Sequence, residues 1–134
     1  MALATSLNTG PGELPDGPLV PVDISLGSAI RRMETDFGLD DGALAQALSV
    51  DRRTLTRWIS GETYPRQDGR DRLHAMAALH TRLGETWKTA GAARRWLHRP
   101  SPYLGHTEPA DMIRAGRFDR VEAALEAIDS GFAS

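Results

Sequence analysis

At 134 residues, 40% of them hydrophobic and with a net charge of −2, the chain has material for one domain or two very small ones. No run of about 18 apolar residues is present to span a membrane, and the first residues lack the basic stretch and apolar centre of a secretory signal. The absence of cysteine excludes disulfides and thiolate metal sites, and the expected location is the reducing cytoplasm.

The small net charge conceals an uneven distribution. Residues 1–51 carry eight acids against two Arg; residues 52–99 carry ten Arg and one Lys against four acids; residues 100–134 carry six acids against three Arg. A basic middle flanked by acidic ends is the balance that contact with phosphates requires.

In chain order, residues 1–23 hold Pro11, Pro15, Pro18 and Pro21 among Gly10, Gly12 and Gly17, with no apolar period. They read as a flexible Pro/Gly-rich tail. From about Ser25, Leu26, Ile30, Met33 and Phe37 recur at helical spacing, with Gly38 as the expected C-terminal stop. Asp40 or Asp41 is placed to cap the next helix.

The stretch Leu44–Pro65, LAQALSVDRRTLTRWISGETYP, reads as two short helices joined by a tight turn at Ser49-Val50. Leu44, Ala45, Leu48, Val50, Leu55 and Trp58 face inward in this reading, and Asp51 caps the second helix. Arg52, Arg53, Thr56 and Arg57 are left on its outer face. This is the pattern of a helix-turn-helix, in which the second helix enters the DNA major groove. Arg52, Arg53 and Thr56 lie early enough to reach base edges, while Arg57 is placed for a backbone phosphate. The turn favours positive φ, so Ser49 carries a cost of about 1 kcal/mol that glycine would not.

Further on, Asp68 is the expected cap of a helix with Leu73, Met76, Ala77, His80 and Leu83 on one face, broken at Gly84. A short helix follows around Glu85–Thr89, then Ala92–His98 with Ala93, Trp96 and Leu97 inward. Pro100 and Pro102 stiffen a loop through Gly105. Pro109 suits the first turn of a helix that contributes Met112 and Ile113 and stops at Gly116. The last helix repeats Phe118, Val121, Leu125 and Ile128 and ends at Gly131. No stretch alternates as a strand does, so the chain is expected to be all-α.

His74, His80, His98 and His106 form no i,i+4 pair, and no glycine-rich phosphate loop or nucleophile constellation is present. Glu122 and Glu126 share a face of the last helix and read as solvated. No enzyme, metal or cofactor is therefore expected.

The string Ala92–Pro109, AARRWLHRPSPYLGHTEP, brings a more specific pattern: Ala93, Trp96, Leu97, Pro100, Leu104, Gly105, Thr107 and Pro109, continued by Ile113, Gly116, Val121, Leu125, Ile128 and Gly131. It resembles the toxin-binding domain of the Xre/MbcA/ParS antitoxins, the partners of RES-domain toxins. That family also carries an upstream helix-turn-helix with a Thr-Leu-x-Arg-Trp core, matched here by Thr54, Leu55, Arg57 and Trp58. The resemblance covers about 26–131. It departs at Glu108, which splits the family's Thr-Pro pair, at His106, where a second glycine is usual, and at Pro102-Tyr103, where an Asn is often found.

The resemblance implies an all-α protein: a helix-turn-helix bundle over 24–90 and a small helical toxin-binding domain over 91–134. It implies a type II antitoxin that blocks the active-site cleft of a RES-domain toxin acting on NAD, by degradation or ADP-ribosylation. The helix-turn-helix would repress the operon through operator DNA, and a homodimer would sit within a toxin–antitoxin hetero-oligomer. A stand-alone dimeric transcriptional regulator is the alternative. For the toxin contact, physical reasoning selects Arg114, Arg117 and Arg120 around the Gly116 turn, with Phe118 beside them and Phe132 beyond the last helix. An arginine suits pairing with a catalytic acid, and Arg117 is the preferred one.

Overall fold

The computed structural model describes residues 25–131, and all its named elements are helices. The tail at 1–23 and Phe132 lie outside the described residues. The first helix, α1 (Leu26–Phe37), starts where Ser25 Oγ accepts the Ser28 N–H at 3.0 Å. It stops at Gly38, which takes the left-handed φ of 68°. Of the two candidate caps for α2 (Asp41–Ala47), Asp40 is the one used, accepting from Ala43 N at 2.9 Å. Ser49 does adopt positive φ, at 60°. Asp51 then accepts the Thr54 N–H at 2.7 Å and opens α3 (Arg52–Ser60).

The region after Pro65 differs from expectation. Asp68 does not cap: α4 (Gln67–Trp87) begins one residue before it, with Arg66 at the N-cap and no side-chain cap bond. Asp68 instead lies in the first turn, where a carboxylate suits the positive end of the helix. Nor does Gly84 break the helix, which runs on through Glu85 to Trp87. A mid-helix glycine costs about 1 kcal/mol, less than the roughly 1.5–3 kcal/mol gained by burying a leucine such as Leu83. The inner face is Leu73, Met76, Leu79 and Leu83; Ala77 points outward.

Helix α5 (Ala90–Leu97) starts two residues earlier than expected, because Thr89 caps it by accepting from Ala92 N. Ala93 and Leu97 are buried, while Trp96 is half-buried against Trp87, ring centroids 5.6 Å apart. A single 3-10 turn (Pro102–Leu104) follows, closed by a bridge between Ser101 and Thr107. His106, where the family usually has glycine, holds a φ of 66°. Pro109 opens α6 (Pro109–Arg114), whose buried residues include Ala110 and Ile113, with Met112 only half-buried. In α7 (Phe118–Asp129) the inward residues are Phe118, Val121, Ala124 and Leu125, and Ile128 is half-buried near the end.

These helices share one core. Its buried members run from Ile30 and Phe37 of α1, through Leu44, Leu55 and Leu83, to Leu97, Ile113 and Leu125. Helix α1 packs on α3, α4 and α5, and α4 packs on both α5 and α7. Position 90 therefore marks no gap in the packing. At the α1–α3 crossing, a Cβ on Gly27 would overlap the Ile59 carbonyl, so only glycine allows this approach. Among the described residues no helix is long and apolar enough to cross a membrane.

Candidate DNA and partner interfaces

Helices α2 and α3 pack as a helix-turn-helix pair. Leu44, Ala45, Leu48, Leu55 and Trp58 are buried between them and their neighbours, and Val50 is half-buried in the turn. The outer face of α3 carries Arg52, Arg53, Thr56 and Arg57, all exposed, so the four residues read from the sequence lie together. Arg57 has a loose partner, Glu62 at 3.8 Å. Asp51 stands at the tip of this face. The Thr54 backbone N–H holds its carboxyl below the usual carboxylate range, so it is charged at neutral pH.

The second candidate surface is the turn between α6 and α7. Gly116 takes a φ of 76° there, and an added Cβ would lie 3.4 Å from the Ala47 carbonyl oxygen. The turn thus rests on the end of α2, and a groove of about 340 Å³ separates it from the Ser49 turn, with Arg72 along one wall. Three arginines ring it. Arg114 reaches back to Asp111 at 2.6 Å. Arg117 makes two bonds to Asp119, of 3.2 and 3.1 Å, and these hold the Asp119 carboxyl below its usual range. Arg120 is exposed, and among the described residues it has no salt bridge.

Phe118 requires correction as a contact residue. It is only 7% exposed and belongs to the shared core. The first apolar residue of an amphipathic helix is drawn inward with the rest of its stripe, so Phe118 anchors the turn and shows only an edge to the groove beside Ser49. Phe132 lies outside the described residues.

Sequence reading missed two features. One is Tyr64, 73% exposed in the loop between α3 and α4; its signal was an aromatic residue held between Gly61 and Pro65 beside Arg66. The other is Arg82, which ties α4 to α7 by contacting Asp129 at 2.5 Å and Glu126 at 2.9 Å, with Thr86 also on Asp129. These partners lie 44 and 47 residues away, so no local pattern could reveal them.

Residues 82–131 match the model of the antitoxin Xre/MbcA/ParS C-terminal toxin-binding domain. That span holds the end of α4 and everything through the α6–α7 turn and α7. Over that span the chain is similar to the Xre/MbcA/ParS antitoxins. It is similar to the mycobacterial cidal antitoxin MbcA of Mycobacterium bovis and of Mycobacterium tuberculosis, 28% identical to each over 107 residues. The aligned region covers 80% of this chain and 90% of the relative. In three dimensions it is similar to a chain in the crystal structure of the M. tuberculosis MbcT-MbcA toxin-antitoxin complex. The TM-score is 0.59 at 28% identity, covering 84% of this chain and 97% of the other.

Proposed function

We propose that this chain is a type II antitoxin that neutralises a RES-domain toxin acting on NAD by blocking its active-site cleft. The observation that carries the reading is the family match over 82–131, which falls on the helices presenting the arginine-ringed Gly116 turn. An NAD-consuming cleft needs acids and groups that hold a pyrophosphate, and an entering arginine would satisfy the acids in place of substrate. Arg117 is the preferred entrant. Its present partner, Asp119, is exposed and adjacent, and exposed pairs of this kind are readily exchanged.

In this reading the labour divides near residue 90. Residues 91–134 engage the toxin, and residues 24–90 engage operator DNA through Arg52, Arg53, Thr56 and Arg57. A homodimer within the toxin–antitoxin assembly would repress its own operon in the cytoplasm, reading half-sites about one helical turn apart, or a multiple of it.

Co-expression with the product of the adjacent gene, followed by an NAD assay with and without this chain, tests the first half. The chain should stop NAD loss. Arg117→Ala should weaken neutralisation by about tenfold or more, the scale of one lost charge-assisted contact, with an unchanged melting curve. If Arg114→Ala, Arg117→Ala and Arg120→Ala all protect cells as well as wild type, the turn is not the entering element.

A further inference from the structure

Helix α3 is nine residues long, and its outer face is polar and basic from Arg52 to Ser60. With about 3.6 residues per turn, Arg52 and Ile59 border one flank of that face and Arg57 and Thr54 the other. An α-helix with its side chains is about 10–12 Å across, and a DNA major groove is about 12 Å wide. A helix seated there fills the groove, and the two sugar–phosphate strands must run along its two flanks. What stands on each flank therefore decides where the backbone is held.

On the Arg52 flank stands the start of α2. A Cβ on Gly42 would lie 3.7 Å from the Arg52 Cδ, so the two elements touch. That start carries Asp40 as its cap and Asp41 in its first turn. Arg31 bonds Asp41 at 2.9 Å but shares the same Nη1 with Glu34. Asp40 and Asp41, with Arg31 divided between Asp41 and Glu34, offset the charge of Arg52 on this flank and make it a poor seat for a phosphate.

The Thr54 flank is different. Thr54 and Trp58 border a groove of about 300 Å³ whose rim is formed by Tyr64 and Arg66, with Arg72 of α4 along it. Asp68 also lines it, the one acid there. The loop that presents Tyr64 is tightly held. Gly61 turns the chain with a φ of 82°, and the N–H groups of Glu62 and Thr63 both donate to the Arg57 carbonyl. Pro65 is buried, close enough to Gly69 that an added Cβ there would come within 3.1 Å of it and of the Trp58 ring. Arg70 donates to the Pro65 carbonyl at 3.0 Å. Yet the Tyr64 side chain stands 73% exposed, the one large hydrophobic side chain so placed among the described residues. An exposed aromatic on a fixed loop, beside two arginines, loses little conformational entropy on contact.

The geometry points to the Tyr64–Arg66 loop as the second DNA contact of this protein: it clamps the sugar–phosphate strand that borders α3 on its Thr54 side, while the α2 side contributes little. This rests on the reading of α3 as the recognition helix and adds the element that positions it. Tyr64 lays its ring on a deoxyribose and donates its hydroxyl to a phosphate oxygen; Arg66 pairs with the same or the next phosphate. Neither reads a base.

The test uses the full chain and two duplexes, one from the DNA immediately upstream of its own reading frame and one of random sequence and equal length. Binding is followed by fluorescence anisotropy over a salt series. Arg66→Ala should weaken both duplexes alike, by about tenfold, and reduce the salt slope by about one. Tyr64→Ala should weaken both with the slope unchanged, and Tyr64→Phe should recover the part carried by the ring. Arg53→Ala is the contrast, selectively weakening the upstream duplex. If Arg53→Ala acts so while Tyr64→Ala and Arg66→Ala bind as wild type, α3 is the recognition helix and the clamp is refuted. If the wild-type chain binds neither duplex, the DNA reading falls and the clamp with it. If the loop variants bind DNA normally but fail to capture the toxin, the loop belongs to the protein interface and the clamp is again overturned.

Discussion

Glu34 is the residue with the sharpest internal conflict. It sits in α1 at 9% exposure, and one carboxylate oxygen, Oε2, is buried with no hydrogen-bond partner among the described residues. Burial first, and the neighbouring Asp41 next, push its carboxyl above the usual glutamate range, against the pull of Arg31. Between the ordinary glutamate value and the raised one, the folded protein therefore keeps a proton that the unfolded chain has released. Its contribution to stability is complete below the ordinary glutamate range and is lost as pH rises through the folded-state value. Glu34→Gln keeps the acceptor for Arg31, offers an N–H₂ toward Asp41 and stays neutral. It should raise the melting temperature at neutral pH and flatten the decline in stability between acidic and neutral pH. An unchanged pH profile would refute the conflict. Nothing in the sequence marked Glu34, because its neighbour Asp41 comes from the next helix. Ser49, by contrast, could be read directly: the tight turn of a helix-turn-helix favours positive φ, and Ser49 takes it.

Helices followed from local signals wherever the signals were local. Ser25, Asp40 and Asp51 cap as their residue types demand, and Gly38 and Gly61 close helices in the left-handed conformation. Helix α4 is the exception, and the reason is packing across the chain. Its 21 residues pass through Gly84 because Leu79 and Leu83 are held by the core, and because Arg82 is bonded to α7. A Cβ at Gly84 would meet nothing within 4 Å. Gly84→Ala should therefore stabilise the protein by about 0.5–1 kcal/mol, the helix-interior difference between these residues, visible as a higher melting temperature. A loss of stability would show that the glycine serves the bend or approach of α4.

The surfaces proposed for DNA and for a toxin stand on one core. Leu97 of α5 is fully buried within the cluster that includes Phe37 of α1 and Leu125 of α7, and His98 at the end of α5 bonds the Phe37 carbonyl at 2.9 Å. Leu97→Ala should cost about 2–5 kcal/mol. By hydrogen exchange, amides of α3 and of α7 should lose protection together. If α3 keeps its protection while α7 opens, the two halves fold as separate units. The contact between Gly116 and Ala47 has the same character, placing the arginine turn against the helix-turn-helix itself.

The all-helical class, most helix ends, the outer face of α3 and the family resemblance were legible in the residue order, since caps, apolar periods and motif spacings act within a few residues. The continuity of α4, the burial of Phe118 against the exposure of Tyr64, and the adjacency of the two candidate surfaces emerge only from packing. Each of these turns on free energy gained between segments far apart in the chain. A local pattern says which way a side chain can point, but not what will be there to cover it.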